Sequence, residues 1–87
     1  MAAPEHLLGV LQAVPEAARR VLLVGHNPGM EDFANRLAGP DSKEDALERM
    51  RQKFPTAAIA RFSLGGPWHA LEFGAARLQD FLKPKDF

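Results

Sequence analysis

The sequence predicts an α/β domain in which a sheet carries helices on its faces. Three observations lead there. The run Arg20-Val21-Leu22-Leu23-Val24-Gly25 is continuously apolar at its centre, the pattern of a strand buried on both sides in a helix-covered sheet. Segments with helical spacing of apolar residues lie on either side of it. Further on, two β-prone segments at 57–64 and 68–73 flank the turn Gly65-Gly66-Pro67 and predict an antiparallel hairpin.

The first helix is expected at 4–13. Pro4 suits the first turn, where its missing N–H costs little. Leu7, Leu8, Leu11 and Val14 recur at helical spacing, and Pro15 ends the segment. A polar connector at 15–20 leads into the strand. His26-Asn27-Pro28-Gly29 is turn chemistry. Met30, Phe33, Ala34 and Leu37 then fall at i, i+3, i+4 and i+7 and predict a second helix at 30–38. Glu31 and Asp32 suit the positive end of its dipole, and Gly39-Pro40 stops it.

Ser42 is positioned to cap a third helix, with Asp45 as the reciprocal residue of a capping box. Leu47, Met50 and Phe54 give that helix one apolar edge, and Asp45 and Arg49 form an i,i+4 pair. Its balanced charges mark the remaining face as solvated. Residues 75–82 fit two patterns. Leu78, Phe81 and Leu82 suit a helix, whereas Leu78, Asp80 and Leu82 suit a strand. The tail at 83–87 is expected to be extended around Pro84. The expected core is Met30, Phe33, Leu37, Leu47, Phe54, Ile59, Phe62 and Leu71, with Trp68 packed beside it. Arg19, Arg20 and Arg61 are expected in solvent.

Composition narrows the function. The 87 residues suit one domain, 1–87, small enough to bury only about 60–65 % of its unfolded surface. With 46 % hydrophobic and 25 % charged residues, the chain is not a disordered one. Eleven basic and eleven acidic residues cancel, so no global charge favours nucleic acid or an anionic membrane. The absence of cysteine excludes a disulfide, a thiolate metal site and a thiol nucleophile. The longest apolar run is too short to span a bilayer, and the N-terminus lacks the basic cluster of a secretory signal, so a cytoplasmic setting is expected. No two histidines share metal-ligand spacing, and no glycine pattern matches a nucleotide fingerprint, so neither metal nor cofactor is expected.

The segment with chemical content is Val24-Gly25-His26-Asn27-Pro28-Gly29. His26 lies just past the carboxyl end of the expected strand, where α/β sheets bind ligands. Gly25 lets a ligand approach the backbone, and Gly29 opens a helix whose N-terminal amides favour an anion. An imidazole there can donate to a phosphoryl oxygen. A histidine in that turn serves equally well to cap the helix or to satisfy a loop carbonyl. His6 and His69 lie on other expected elements, and Ser63 lacks the context of a nucleophile elbow.

The string V-L-L-V-G-H-N-P-G at 21–29, followed by an amphipathic helix with an acidic start, resembles the SixA-like phosphohistidine phosphatases of the histidine phosphatase, or phosphoglycerate mutase-like, superfamily. Lys53-Phe54-Pro55-Thr56-Ala57-Ala58 is similar to that family's K-F-P-T-[GA]-A segment. Residues 74–84 match its G-x-x-R-L-x-D-F-x-x-P stretch, and Pro4-Glu5-His6-Leu7-Leu8 resembles the helix before its G-H-N-P-G strand. The resemblance spans the family's C-terminal half. It implies a partial layered sheet and a metal-independent phosphatase acting on phosphohistidine or a small phosphomonoester. His26 would hydrogen-bond the transferring phosphoryl group, and Gly25, Asn27 and Gly29 would form the phosphate-binding loop.

The family's nucleophile lies in an R-H-G or R-H-A strand, and a further phosphate-binding arginine lies in an S-P-x-x-R-x-x-x-T segment. Neither occurs in this chain, which contains no Arg-His dipeptide. The resemblance therefore implies a chain inactive alone, because phosphoryl transfer needs nucleophile and charge clamp together. It also implies an open edge on the 21–24 strand, met by homo-oligomerisation or by pairing with an N-terminal half. The expected ligand is a phosphorylated substrate or inorganic phosphate. A non-catalytic phosphate-binding or dimerisation module is the alternative, and a structural remnant the third reading.

Overall fold

The computed structural model describes residues 3–86. Its helices are α1 (Pro4–Gln12), α2 (Gly29–Leu37) and α3 (Glu44–Gln52), and its sheet consists of β1 (Ile59–Leu64) and β2 (Ala76–Leu82). Short 3-10 turns at Trp68–Ala70 and Pro84–Asp86 complete the order. Among the described residues, no helix is long and apolar enough to cross a membrane.

Each helix follows from its apolar stripe. Pro4 opens α1, and Leu7, Leu8 and Leu11 form its buried face. In α2 the buried residues are Gly29, Phe33, Ala34 and Leu37. That helix joins two apolar clusters. Phe33 and Leu37 meet the α1 leucines, Leu71 and Ala76, whereas Ala34 meets Ala46, Met50, Leu78 and Phe81. Met50, Leu78 and Phe81 are the largest fully buried side chains, so the second cluster is built by α3 lying on β2. Outside, Arg36 Nη1 donates to Glu5 Oε1 at 2.7 Å while its guanidinium sits over the Phe73 ring, clamping α2 to α1 and to the loop before β2.

The hairpin is antiparallel, as expected, but its second strand is 76–82 rather than 68–73. Ile59 pairs with Leu82, Arg61 with Asp80, and Phe62 with Leu78. Between those last two pairs Gln79 is an extra residue, a β-bulge. The bulge switches the parity of β2, so Ala76, Leu78 and Phe81 all turn inward. An inward pair three residues apart is what gave 75–82 its helical look. Residues 68–73 leave the sheet because Pro67 lacks a donor and because the Trp68 and His69 amides both bond Glu16 instead of a strand.

The outer edge of β2 is covered by 38–43. Ala38 forms a parallel bridge with Ala76, the Gly39 amide donates to the Ala76 carbonyl at 2.7 Å, and the Lys43 amide donates to the Leu78 carbonyl at 3.0 Å. A Cβ at Gly39 would run into the Gly74 carbonyl oxygen, so the approach of these two backbones requires glycine. Ser42 does not cap α3. It is buried, and its hydroxyl accepts the Leu78 amide at 2.9 Å, a non-local use that local spacing does not reveal. Likewise Arg49 pairs with Asp86 at 2.6 Å rather than with Asp45. The tail turns at Pro84–Asp86 instead of running extended, held by the Lys83 amide on Asp86 Oδ2 at 2.8 Å; Phe87 lies outside the described residues.

The largest departure is the expected strand at 20–25. The segment belongs to no helix or sheet, and residues 19–25 make no backbone hydrogen bond among the described residues. Only Leu23 turns inward, against the first cluster. Leu22 is 83 % exposed and Val24 80 %. The composition is that of a buried strand, but no neighbouring strand flanks it. Of the expected core, Phe33, Leu37 and Leu71 are buried; Met30, Leu47, Phe54 and Phe62 are half-buried against it; Ile59 is 44 % exposed, because it sits on the outward parity of β1. Arg61 is exposed and pairs with Asp80 across the hairpin.

Candidate functional site

An apolar trough of about 530 Å³ separates the 21–26 segment from the 54–64 stretch. Its floor is the inward face of α2, with Met30, Phe33 and Leu37, and its walls include Leu22, Val24, Phe62 and Leu64. No lysine, arginine, aspartate or glutamate lines it. His26 is the titratable residue at its margin.

The structure brings Gly25, His26 and Asn27 to this trough, whereas Gly29 is buried at the start of α2 and does not line it. The His26 imidazole is exposed and hydrogen-bonds no other described residue, while its carbonyl accepts the Met30 amide at 3.1 Å. Asn27 works for the loop itself. Its Nδ2 donates to the Phe54 carbonyl at 2.8 Å, and its Oδ1 accepts the Glu31 amide at 3.2 Å. The Asn27–Pro28 peptide is cis. Gly25 lies against the flexible end of the Met30 side chain, which a Cβ there would displace.

The expectation that α2 presents free amides to an anion is corrected. The Met30, Glu31 and Asp32 amides already bond the His26 carbonyl, Asn27 Oδ1 and the Pro28 carbonyl. Glu31 and Asp32 also place two carboxylates in that first turn. Of the first-turn amides, Gly29 alone has no partner among the described residues, and Gly29 is buried; the loop's exposed donor at the trough margin is the His26 imidazole. Among the described residues no lysine or arginine lines the trough, so an anion held here needs its charge balanced from elsewhere.

Sequence spacing did not show what holds the loop's two neighbours. The Phe54-Pro55-Thr56-Ala57 stretch lies across the trough from His26 and is tied to it by Asn27. Ala57 sits there at φ 66, in the left-handed region where glycine is at ease. Upstream, Glu16 accepts the Trp68 amide at 2.9 Å and the His69 amide at 3.0 Å, and its Oε2 lies 3.0 Å from His69 Nδ1. Trp68 Nε1 donates to the Ala18 carbonyl at 2.8 Å. These bonds anchor the connector just before residues 19–25. Desolvation pushes the Glu16 carboxyl up, but its hydrogen bonds from His69 and Trp68 outweigh that and hold it below the ordinary range. His69 is therefore a surface partner of Glu16, 53 residues away from it in sequence. Among the described residues, no group of three His, Asp or Glu is placed to hold a metal ion.

Fold and site together define a partial α/β layer with a G-H-N-P-G loop at the mouth of an uncharged trough. No family model matches the chain. It is 32 % identical over 82 residues to an uncharacterised protein of Mycobacterium leprae, covering 94 % of this chain and 51 % of that protein. It is 34 % identical over 85 residues to an uncharacterised Mycobacterium tuberculosis protein, covering 97 % of this chain and 54 % of the relative. Among solved structures it is similar to one from Nakamurella multipartitia, provisionally assigned as the phosphohistidine phosphatase SixA. That match has TM-score 0.81 and 27 % identity and covers 95 % of this chain but 52 % of the other. The fold is thus the SixA-like one over about half of that chain, and the chain spans about half the length of the curated relatives it matches.

Proposed function

We propose that this chain supplies one half of a metal-independent phosphatase site for phosphohistidine or a small phosphomonoester, in the cytoplasm. The observation that carries the reading is His26: an exposed imidazole without a competing partner, at the mouth of a trough in a fold similar to half of a SixA-type structure. In the reaction, the His26 ring N–H donates to a phosphoryl oxygen and stabilises the charge that develops there. On this reading the nucleophile and the guanidinium clamp belong to the half of the fold that this chain does not match, since among the described residues no arginine or second histidine lines the trough. Asn27 holds the loop in register, and Gly25 keeps its backbone accessible.

A second reading is a non-catalytic phosphate-binding or dimerisation module, favoured by the exposed Leu22 and Val24 and by the uncharged lining. Titration with inorganic phosphate, followed through the His26 ring resonances, tests the phosphoryl-contacting role. Weak saturable shifts at His26, larger than those at His6 and His69, are expected. Equal, non-saturating shifts at all three histidines would remove the role.

A further inference from the structure

Two turns meet at the trough. One carries His26. The other is 55–58, closed by the Ala58 amide on the Pro55 carbonyl at 3.2 Å. The bond from Asn27 Nδ2 to the Phe54 carbonyl, at 2.8 Å, fastens the residue after His26 to the residue before Pro55. The Phe54 ring is held in turn against buried Phe81, with ring centroids 5.1 Å apart. The fold therefore keeps the two turns together, and both line the trough. What the second turn offers is hydrogen-bond donors. Thr56 and Ala57 are exposed, and neither the Thr56 hydroxyl nor the two amides has a partner among the described residues. Ala57 holds φ 66, a conformation that alanine adopts at a cost. Strain of this kind concentrates at binding and catalytic sites.

Opposite, His26 presents its ring without a partner among the described residues. No aspartate or glutamate lines the trough to occupy these donors or to attract a cation. A group bound between the two turns must therefore be a hydrogen-bond acceptor. A phosphoryl group has several acceptor oxygens, more than one imidazole can satisfy. We infer that Thr56 is a second phosphoryl-contacting residue, its hydroxyl and the amides of Thr56 and Ala57 donating to oxygens of the group that His26 contacts. The inference rests on the phosphoryl-contacting reading of His26 and adds a second face to that site. Donors on two separate turns fix the orientation of a tetrahedral group, which a lone exposed imidazole does not. Thr56 carries no charge, so it orients the group and leaves the balance of charge to other residues.

The test titrates the 87-residue chain with inorganic phosphate and follows the His26 ring together with the Thr56 and Ala57 amide resonances. One midpoint shared by all three is expected. Thr56→Val keeps the shape and removes the hydroxyl. It should weaken that midpoint about three- to tenfold, and Thr56→Ser should restore it to within about twofold. Ser63→Ala, at an exposed hydroxyl on β1 that does not line the trough, should leave it unchanged. An unchanged His26 midpoint in Thr56→Val would overturn the proposal and leave the reading of His26 standing. So would saturable shifts at His26 without shifts at Thr56 and Ala57. Weakening that Thr56→Ser fails to restore would overturn it as well, by tracing the effect to shape instead of the hydroxyl. Saturation at Thr56 and Ala57 without His26, or at none of the three, would remove the role of His26 and the shared site together.

Discussion

The Asn27 side-chain amide donates to the Phe54 carbonyl at 2.8 Å, across 27 residues of sequence. With the Glu31 amide on its other end, Asn27 joins the histidine loop, the first turn of α2 and the stretch before β1. Replacing it by alanine removes a helix-capping acceptor and a long-range donor. Asn27→Ala should cost about 1–2 kcal/mol in urea unfolding. A change indistinguishable from zero would show that water replaces both bonds and that the loop is held by other contacts.

Gly39 and Gly74 lie so close that a methyl group on Gly39 meets the Gly74 carbonyl oxygen. Neither backbone can step aside without breaking the Gly39–Ala76 bond at 2.7 Å or the Gly74–Arg36 bond at 2.8 Å. Gly39→Ala should destabilise by about 1–3 kcal/mol. Thermal unfolding checks this, and an unchanged midpoint would contradict the close approach.

Two leucines separate composition from burial. Leu78 is fully buried between α3 and the sheet, and Leu22 stands in solvent. Leu78→Ala should cost about 2–5 kcal/mol through lost burial and a cavity. Leu22→Ala should change the stability of the 87-residue chain by less than about 0.5 kcal/mol. Denaturant midpoints of the two variants decide the matter, and a large loss at Leu22 would show residues 19–25 packed in solution.

Acid should loosen the Glu16 clasp. The Glu16 carboxyl is held below its ordinary value of 4.5 in the folded chain. Its contribution to stability is therefore fully present above that value and is lost as pH falls through the lower, folded value. Asp86 behaves alike, its carboxyl held down by the Lys83 amide and by Arg49. Stability measured between pH 6 and pH 3, a range of about three units, should fall more steeply in the parent than in Glu16→Gln. Parallel profiles would show that the His69 and Trp68 bonds do not set the titration.

The helices were legible because their information is local. Phe33, Ala34 and Leu37 recur at one period and stay buried, and the turn chemistry of 26–29 is a turn. The strand at 59–64 was legible for the same reason. What escaped depended on distant partners. The bulge at Gln79 disguised β2 by shifting its parity, Glu16 drew 68–70 out of the hairpin, and Leu78 took the hydroxyl of Ser42 from the helix it was expected to cap. Residues 21–24 read as a buried strand because apolar content reports the surroundings a segment is suited to, and here no strand flanks them. At the site, His26 and its loop were visible in the motif, but the fate of the α2 amides was not, since it turns on where the Asn27 side chain points.

The central claim is that the chain holds a phosphoryl-contacting histidine but not the nucleophile. The most direct measurement is phosphate release from an aryl phosphate and from a phosphohistidine peptide by the 87-residue chain and by His26→Ala. The account predicts that neither protein exceeds the uncatalysed rate. Turnover by the parent chain that disappears in His26→Ala would contradict it, because some group within these residues would then be taking the phosphoryl group.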